Sequence, residues 1–166
     1  MTVNKTTSQQ VLGLFAWLAL LFVVAAVGSL GSLNAPNFYA ELAVPSWAPP
    51  GWLFGPVWIT LYTMMAIASW LVWREYGFST VSKRAHQANF TQLALNMLWS
   101  WLFFAWYLGA VSFIEIIFLW LAIIVTIVQF WRLNRIAALL LVPYLAWVSF
   151  AAVLNFTIWQ LNPGIL

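Results

Sequence analysis

Five apolar stretches, each near the roughly 20 residues an α-helix needs to cross a bilayer, occupy about 10–32, 53–73, 88–108, 111–131 and 136–159. No other feature constrains the chain so far. In hydrocarbon every backbone amide needs an internal partner, and these runs lack the short alternating strands and regular turns of a barrel, which leaves helices. Composition excludes an ordinary water-soluble domain: of 166 residues, 65% are hydrophobic and 5% charged, with a mean hydropathy of +0.95. The expectation is an all-α membrane protein, one domain over 1–166 built as a bundle of five transmembrane helices. Its first loop, 33–52, is long.

Charge supports the span count. Threading five spans alternately through a membrane puts Lys5, Arg74, Lys83, Arg84, Arg132 and Arg135 on one side and no Lys or Arg on the other. Four or six spans scatter them. The positive-inside rule then assigns the N-terminus and the basic loops to the cytoplasmic side and the C-terminus to the opposite side; it does not name the membrane. The first run has some signal-peptide character, with Lys5 before it and Ala25, Ala26, Gly28 and Ser29 near its end. The stretch from Val11 to Val27 is longer than a usual signal-peptide core and is read as an uncleaved helix.

Several chemistries lack their residues. The chain has no Cys and no Asp, one His and three Glu (Glu41, Glu75 and Glu115) too far apart to suggest a paired acid and base. No metal site or cofactor is expected, and scattered cations do not make a nucleic-acid surface. His86, beside Lys83 and Arg84, reads as a solvated loop residue. Glu115 is expected near the interface, where a carboxylate costs far less than at mid-membrane.

Polar and aromatic residues recur at helical spacing. Asn89, Gln92, Asn96 and Ser100 fall on one face of the third span, a stripe that must look inward. Lining a cavity and hydrogen-bonding neighbouring helices fit that spacing equally well. Trp58, Tyr62, Met65 and Ser69 share a face of the second span, and Trp147, Ala151 and Asn155 follow Pro143 in the fifth, where the proline is expected to kink the helix. Thirteen Trp exceed what two interfacial belts require, and flat π-faces suit a flat apolar ligand. The 33–52 connection, with Pro36, Phe38, Tyr39, Pro45, Trp47, Pro49, Pro50 and Trp52, suits either a packed lid or a headgroup-level belt. Ala105 and Gly109 make one small-xxx-small pair compatible with close helix approach.

The run Pro45-Ser46-Trp47-Ala48-Pro49-Pro50-Gly51-Trp52, followed by Phe54-Gly55-Pro56-Val57-Trp58 and Leu61-Tyr62, resembles the signature between the first two helices of the translocator-protein/tryptophan-rich sensory protein family. Leu93-Ala94-Leu95-Asn96 with Trp99 and Phe103-Phe104 is similar to that family's third helix. Pro143-Tyr144-Leu145-Ala146-Trp147 with Phe150-Ala151 and Leu154-Asn155 is similar to its fifth. The resemblance implies a five-helix bundle, commonly a homodimer, with a cavity on the first-loop side that accepts porphyrins and benzodiazepine-type drugs. Carried over by position, Trp58, Asn96 and Trp147 would line that cavity, with Trp47, Tyr62, Trp99 and Ala151 as neighbours. Two positions depart from the pattern: Phe156 and Gln160 stand where animal members carry the Tyr and Arg of a proposed sterol motif, and Val44 where the family often has Lys.

The resulting expectation is a non-enzymatic membrane protein that binds porphyrin or another flat apolar molecule as a sensor, carrier or regulator. Two alternatives compete with it: light-dependent porphyrin degradation using Trp58 and Trp147, and a structural role in which the polar stripe joins helices. Coupled transport is disfavoured by the lack of an intramembrane charge network or inverted repeat.

Overall fold

The computed structural model describes residues 4–166, and those residues are helical, with no strand among them. Thr6 starts the first helix, α1 (Thr7–Leu30), through a capping box in which its hydroxyl accepts from the Gln9 amide and the Gln9 side chain accepts from the Thr6 amide. A short helix, α2 (Ala35–Glu41), has Pro36 in its first turn, where a missing N–H costs nothing. The first loop is therefore partly helical. After a 3₁₀ turn at Gly51–Leu53 comes α3 (Phe54–Tyr76), ended by Gly77 at a φ of 58°, a left-handed conformation that glycine adopts without a Cβ clash.

Helix α4 (Lys83–Ser100) begins earlier than its apolar run and continues as a π-turn over Trp101–Ala105. The sharp turn to α5 (Gly109–Trp131) follows, with Tyr107 at a φ of 55°. Ala105 and Gly109 thus lie on different helices and form no common small-residue face. The fifth apolar run divides into α6 (Arg135–Leu140) and α7 (Val142–Leu161), with Leu141 between them. Pro143 occupies the first turn of α7, so the chain breaks just before the proline and leaves no unmade helical bond at it.

Among the described residues four helical stretches are long and apolar enough to cross a membrane: Thr7–Leu30, Gly51–Tyr76, Gly109–Trp131 and Arg135–Leu161. α4 is long enough with its π-turn, but its polar stripe and basic first turn lower its hydropathy. The helices close into a ring, in which α1 packs on α3 and α4, α4 on α5, α5 on α6 and α7, and α6 back on α3. Leu21, Met65, Val72, Ile116, Leu119, Ile123, Tyr144 and Val148 fill the ring's centre. Outward residues such as Phe15, Val23, Ile59, Ile114 and Phe118 stay exposed, the inverse pattern expected where the solvent is lipid.

Close approach is local and specific. The Trp73 ring lies where a Gly13 side chain would be, within 2.0 Å of an added Cβ, and this brings α1 against α3. A second cluster of Phe38, Leu42, Phe103, Leu154 and Ile158 fixes the first loop on the bundle's end. Asn162 fastens it further, accepting from the Ala43 amide at 2.8 Å and donating to the Ala43 carbonyl at 2.9 Å.

Candidate functional site

α1, α3 and α4 diverge toward the first-loop end and leave a cavity of about 1010 Å³ between them, roofed by α2 and the 3₁₀ turn. Small residues make the space: Ala25, Ala26, Gly28 and Ser29 of α1, and Gly51 and Gly55 before and within α3. A Cβ built at Gly51 or Gly55 meets no atom within 4 Å. Aromatic side chains form the walls, chiefly Trp58 and Phe54 of α3, Trp99 of α4, Phe104 of the π-turn and Tyr39 of α2.

Polar order at the floor comes from the α4 stripe. Tyr62 donates to the Asn96 side-chain oxygen, and the Asn96 amide donates in turn to the Tyr144 hydroxyl at 2.9 Å, so one asparagine joins α3, α4 and α7. Deeper in the bundle, Gln92 donates to Asn89 at 3.1 Å and Asn89 to Ser69 at 3.0 Å. Asn89, Gln92 and Asn96 are all buried, whereas Ser100 is half-buried and lines the cavity. One stripe thus both joins helices and lines the cavity.

The π-turn shapes the wall above this floor. Skipping to i→i+5 bonds, as in the Trp106 amide on the Trp101 carbonyl at 2.9 Å, displaces the aromatic run 101–104 from its α-helical positions. Phe103 stacks on Trp99 at 5.3 Å and 11°, and Phe104 meets it edge-on at 5.8 Å. Trp99 is held from its other end, its indole donating to Asn155 at 3.0 Å. The Trp58 indole makes no hydrogen bond among the described residues. Nor does the buried Tyr39 hydroxyl, and burial pushes that phenol above its ordinary pKa.

Of the residues singled out in the sequence, Trp58, Tyr62, Asn96 and Trp99 line this cavity. Trp147 lies behind it: Phe54 stands between, its ring 5.8 Å from Trp147 and edge-on. Trp47 packs on Phe150 at 5.9 Å and Phe150 on Trp147 at 5.5 Å, so these aromatics form a separate row outside the cavity. Ala151, half-buried on α7, packs on the main core. The small residues of α1, which in the sequence look only like a cleavage-site pattern, line one wall; their i, i+3 and i, i+4 spacing on one helical face carries that signal.

His86 is not solvated. It is buried, its Nε2 lies 2.9 Å from the Gly77 carbonyl, and its ring stacks on Trp17 at 5.8 Å and 15°. Because α4 begins at Lys83, His86 falls one turn before Asn89 on the same inward face. Glu115 lies in the second turn of α5, buried, with neither carboxyl oxygen partnered among the described residues, and it does not line this cavity.

The TspO/MBR family model matches residues 11–160. The chain is 44% identical to Tryptophan-rich protein TspO of Chlorobaculum tepidum over 143 residues, covering 83% of this chain and 90% of that one. Against the Translocator protein of Homo sapiens identity is 40% over 129 residues, 77% of this chain and 76% of the human one. Tryptophan-rich sensory protein of Cereibacter sphaeroides is 35% identical over 150 residues, 88% and 92% of the two chains. The matched span takes in most of α1, all of α2 to α6 and nearly all of α7.

Proposed function

This chain belongs to the TspO/MBR family, and from that premise we propose that it is a five-span integral membrane protein whose large cavity takes a flat apolar ligand of the tetrapyrrole class. The observation that carries the reading is the join of aromatic walls to a sparse polar floor. Trp58, Trp99 and Phe54 offer π-faces, while the Trp58 indole, without a hydrogen-bond partner among the described residues, offers a donor for a polar substituent. A volume of about 1010 Å³ is at the upper end of small-molecule sites, as a macrocycle requires.

In this reading α4 and its π-turn form the third of the five spans, their polar stripe turned into the bundle and so not exposed to lipid. The cations sit at the cytoplasmic end and the cavity opens toward the other side. Binding then serves a sensor, carrier or regulator. Names such as translocator and sensory protein among the relatives favour that over an enzyme.

Titrating protoporphyrin IX in the dark into the detergent-solubilised protein, followed by calorimetry, tests the reading. Saturable binding near one ligand per chain, weakened at least tenfold in Trp58→Ala, is expected. Nonsaturable uptake, equal in both proteins, contradicts it and means partition into the micelle. The structural reading has its own support, since Asn96 joins three helices. It predicts that Asn96→Ala changes stability alone, with no saturable affinity to lose in the wild type.

A further inference from the structure

At the end of the molecule away from the large cavity, Arg84 of α4 and Arg132 just after α5 face a second cavity of about 400 Å³, shared with Thr80, Val81, Gln129 and Leu133. Among the described residues neither guanidinium has a hydrogen-bond or ion-pair partner. Of the other cations, Arg74 pairs with Glu75 at 3.6 Å, Arg135 rests over the Trp131 ring at 5.5 Å and Lys5 donates to the Trp73 carbonyl at 2.9 Å, while Lys83, exposed beside Arg84, does not line the cavity. The carboxylate of Glu75 also accepts from Asn134 at 2.7 Å, which leaves this concavity with two positive charges and no acid lining it.

Two exposed guanidiniums on one concavity repel each other weakly across water, and an anion between them turns that repulsion into attraction. Planar guanidinium forks match phosphate oxygens, and the Thr80 hydroxyl and Gln129 amide add neutral donors on the same wall. Ser82, before α4, spends its hydroxyl on the Gly77 carbonyl at 2.7 Å and leaves the helix's first-turn amides without a side-chain cap. The partial positive charge there adds to that of Arg84.

The surroundings decide which phosphate. Val81 is 53% exposed on the cavity wall, and Trp131, beside Arg132, is 48% exposed. Apolar side chains next to a cationic concavity at the end of two helices suit a molecule that is anionic at its head and hydrocarbon below. A free ion would leave them bare. We infer that this concavity binds an anionic membrane phospholipid, its phosphate between Arg84 and Arg132 and its acyl chains along Val81 and Trp131.

Native mass spectrometry of the full chain, titrated with dioleoylphosphatidylglycerol, dioleoylphosphatidylcholine or inorganic phosphate, tests this. Phosphatidylglycerol should be retained saturably and in preference to phosphatidylcholine. Arg84→Gln and Arg132→Gln should each weaken it about fivefold, as expected when one basic side chain is removed from an anionic headgroup. Both side chains are exposed and unpartnered, so the lipid-free thermal midpoints should equal that of the wild type. Lys83→Gln removes the same charge outside the cavity and should change affinity less than twofold. Equal weakening in all three variants, or equal retention of the two lipids, overturns the proposal in favour of diffuse attraction. Arg84-dependent binding of inorganic phosphate without preferential retention of phosphatidylglycerol overturns it in favour of a free-anion site.

Discussion

Asn96 joins three helices through one side chain, because its carboxamide accepts from Tyr62 and donates to Tyr144 at the floor of the cavity. Asn96→Ala removes both bonds and leaves two hydroxyls unpartnered. We expect a loss of about 1–2 kcal/mol, visible as a thermal midpoint lowered by roughly 3–6 °C in detergent without ligand. An unchanged midpoint would mean that the two tyrosines find other partners. Tyr39 is the opposite case. Its buried hydroxyl has no partner, so Tyr39→Phe should leave the midpoint within about 1 °C. A midpoint lowered by several degrees would mean that the hydroxyl is hydrogen-bonded. The Asn96 position is legible in the sequence because a polar group on an otherwise apolar face must be satisfied inside. Nothing in the sequence spacing places Tyr39, since the turn of helix that aims it lies in a loop rich in proline.

At the scale of elements, loop and helix ends are fastened by a few polar side chains, and these make local predictions. Asn162 closes both polar groups of Ala43, so Asn162→Ala should raise amide exchange at Ala43 about tenfold or more while the bundle core keeps its protection. Uniform exchange across both proteins would show that the phenylalanine cluster alone holds the loop. Gly13→Leu sets a side chain into the Trp73 ring and should cost about 1–3 kcal/mol by forcing α1 off α3. Measured stability equal to wild type would place Trp73 elsewhere. The apolar runs announce the long helices well, because burial in lipid requires length and hydropathy together. They do not announce the start of α4 at Lys83, which basic and polar residues conceal, and so His86 looks solvated in the sequence when it is not. The π-turn is equally hidden, since Trp-Leu-Phe-Phe-Ala suits an α-helix on propensity and only tertiary packing around Trp99 selects the wider turn. Pro143 does mark a break in the last span, but as the start of α7 with no kink inside it.

For the whole molecule, an odd number of crossings puts the two ends on opposite faces. The chain has no cysteine, so Ser8→Cys and Gly164→Cys each introduce a single label site in exposed positions. In sealed vesicles of uniform orientation, an impermeant maleimide should reach one of them directly and the other only after permeabilisation. Labelling of both from one side contradicts five spans. The ring of helices, the aromatic wall and the polar floor follow from patterns that periodicity exposes, whereas the division of the predicted aromatics does not. Trp58 and Trp99 line the cavity and Trp147 stands behind Phe54, a difference set by the rotation of α7 after its break, which one-dimensional spacing does not encode. On the proposed function, the cavity between α1, α3 and α4 is the ligand's seat. Its most direct test is an experimental structure of the protein with protoporphyrin IX bound. We predict density for one macrocycle in that cavity, stacked against Trp58 or Trp99; an empty cavity, with porphyrin density on the lipid-facing surface, would overturn that assignment.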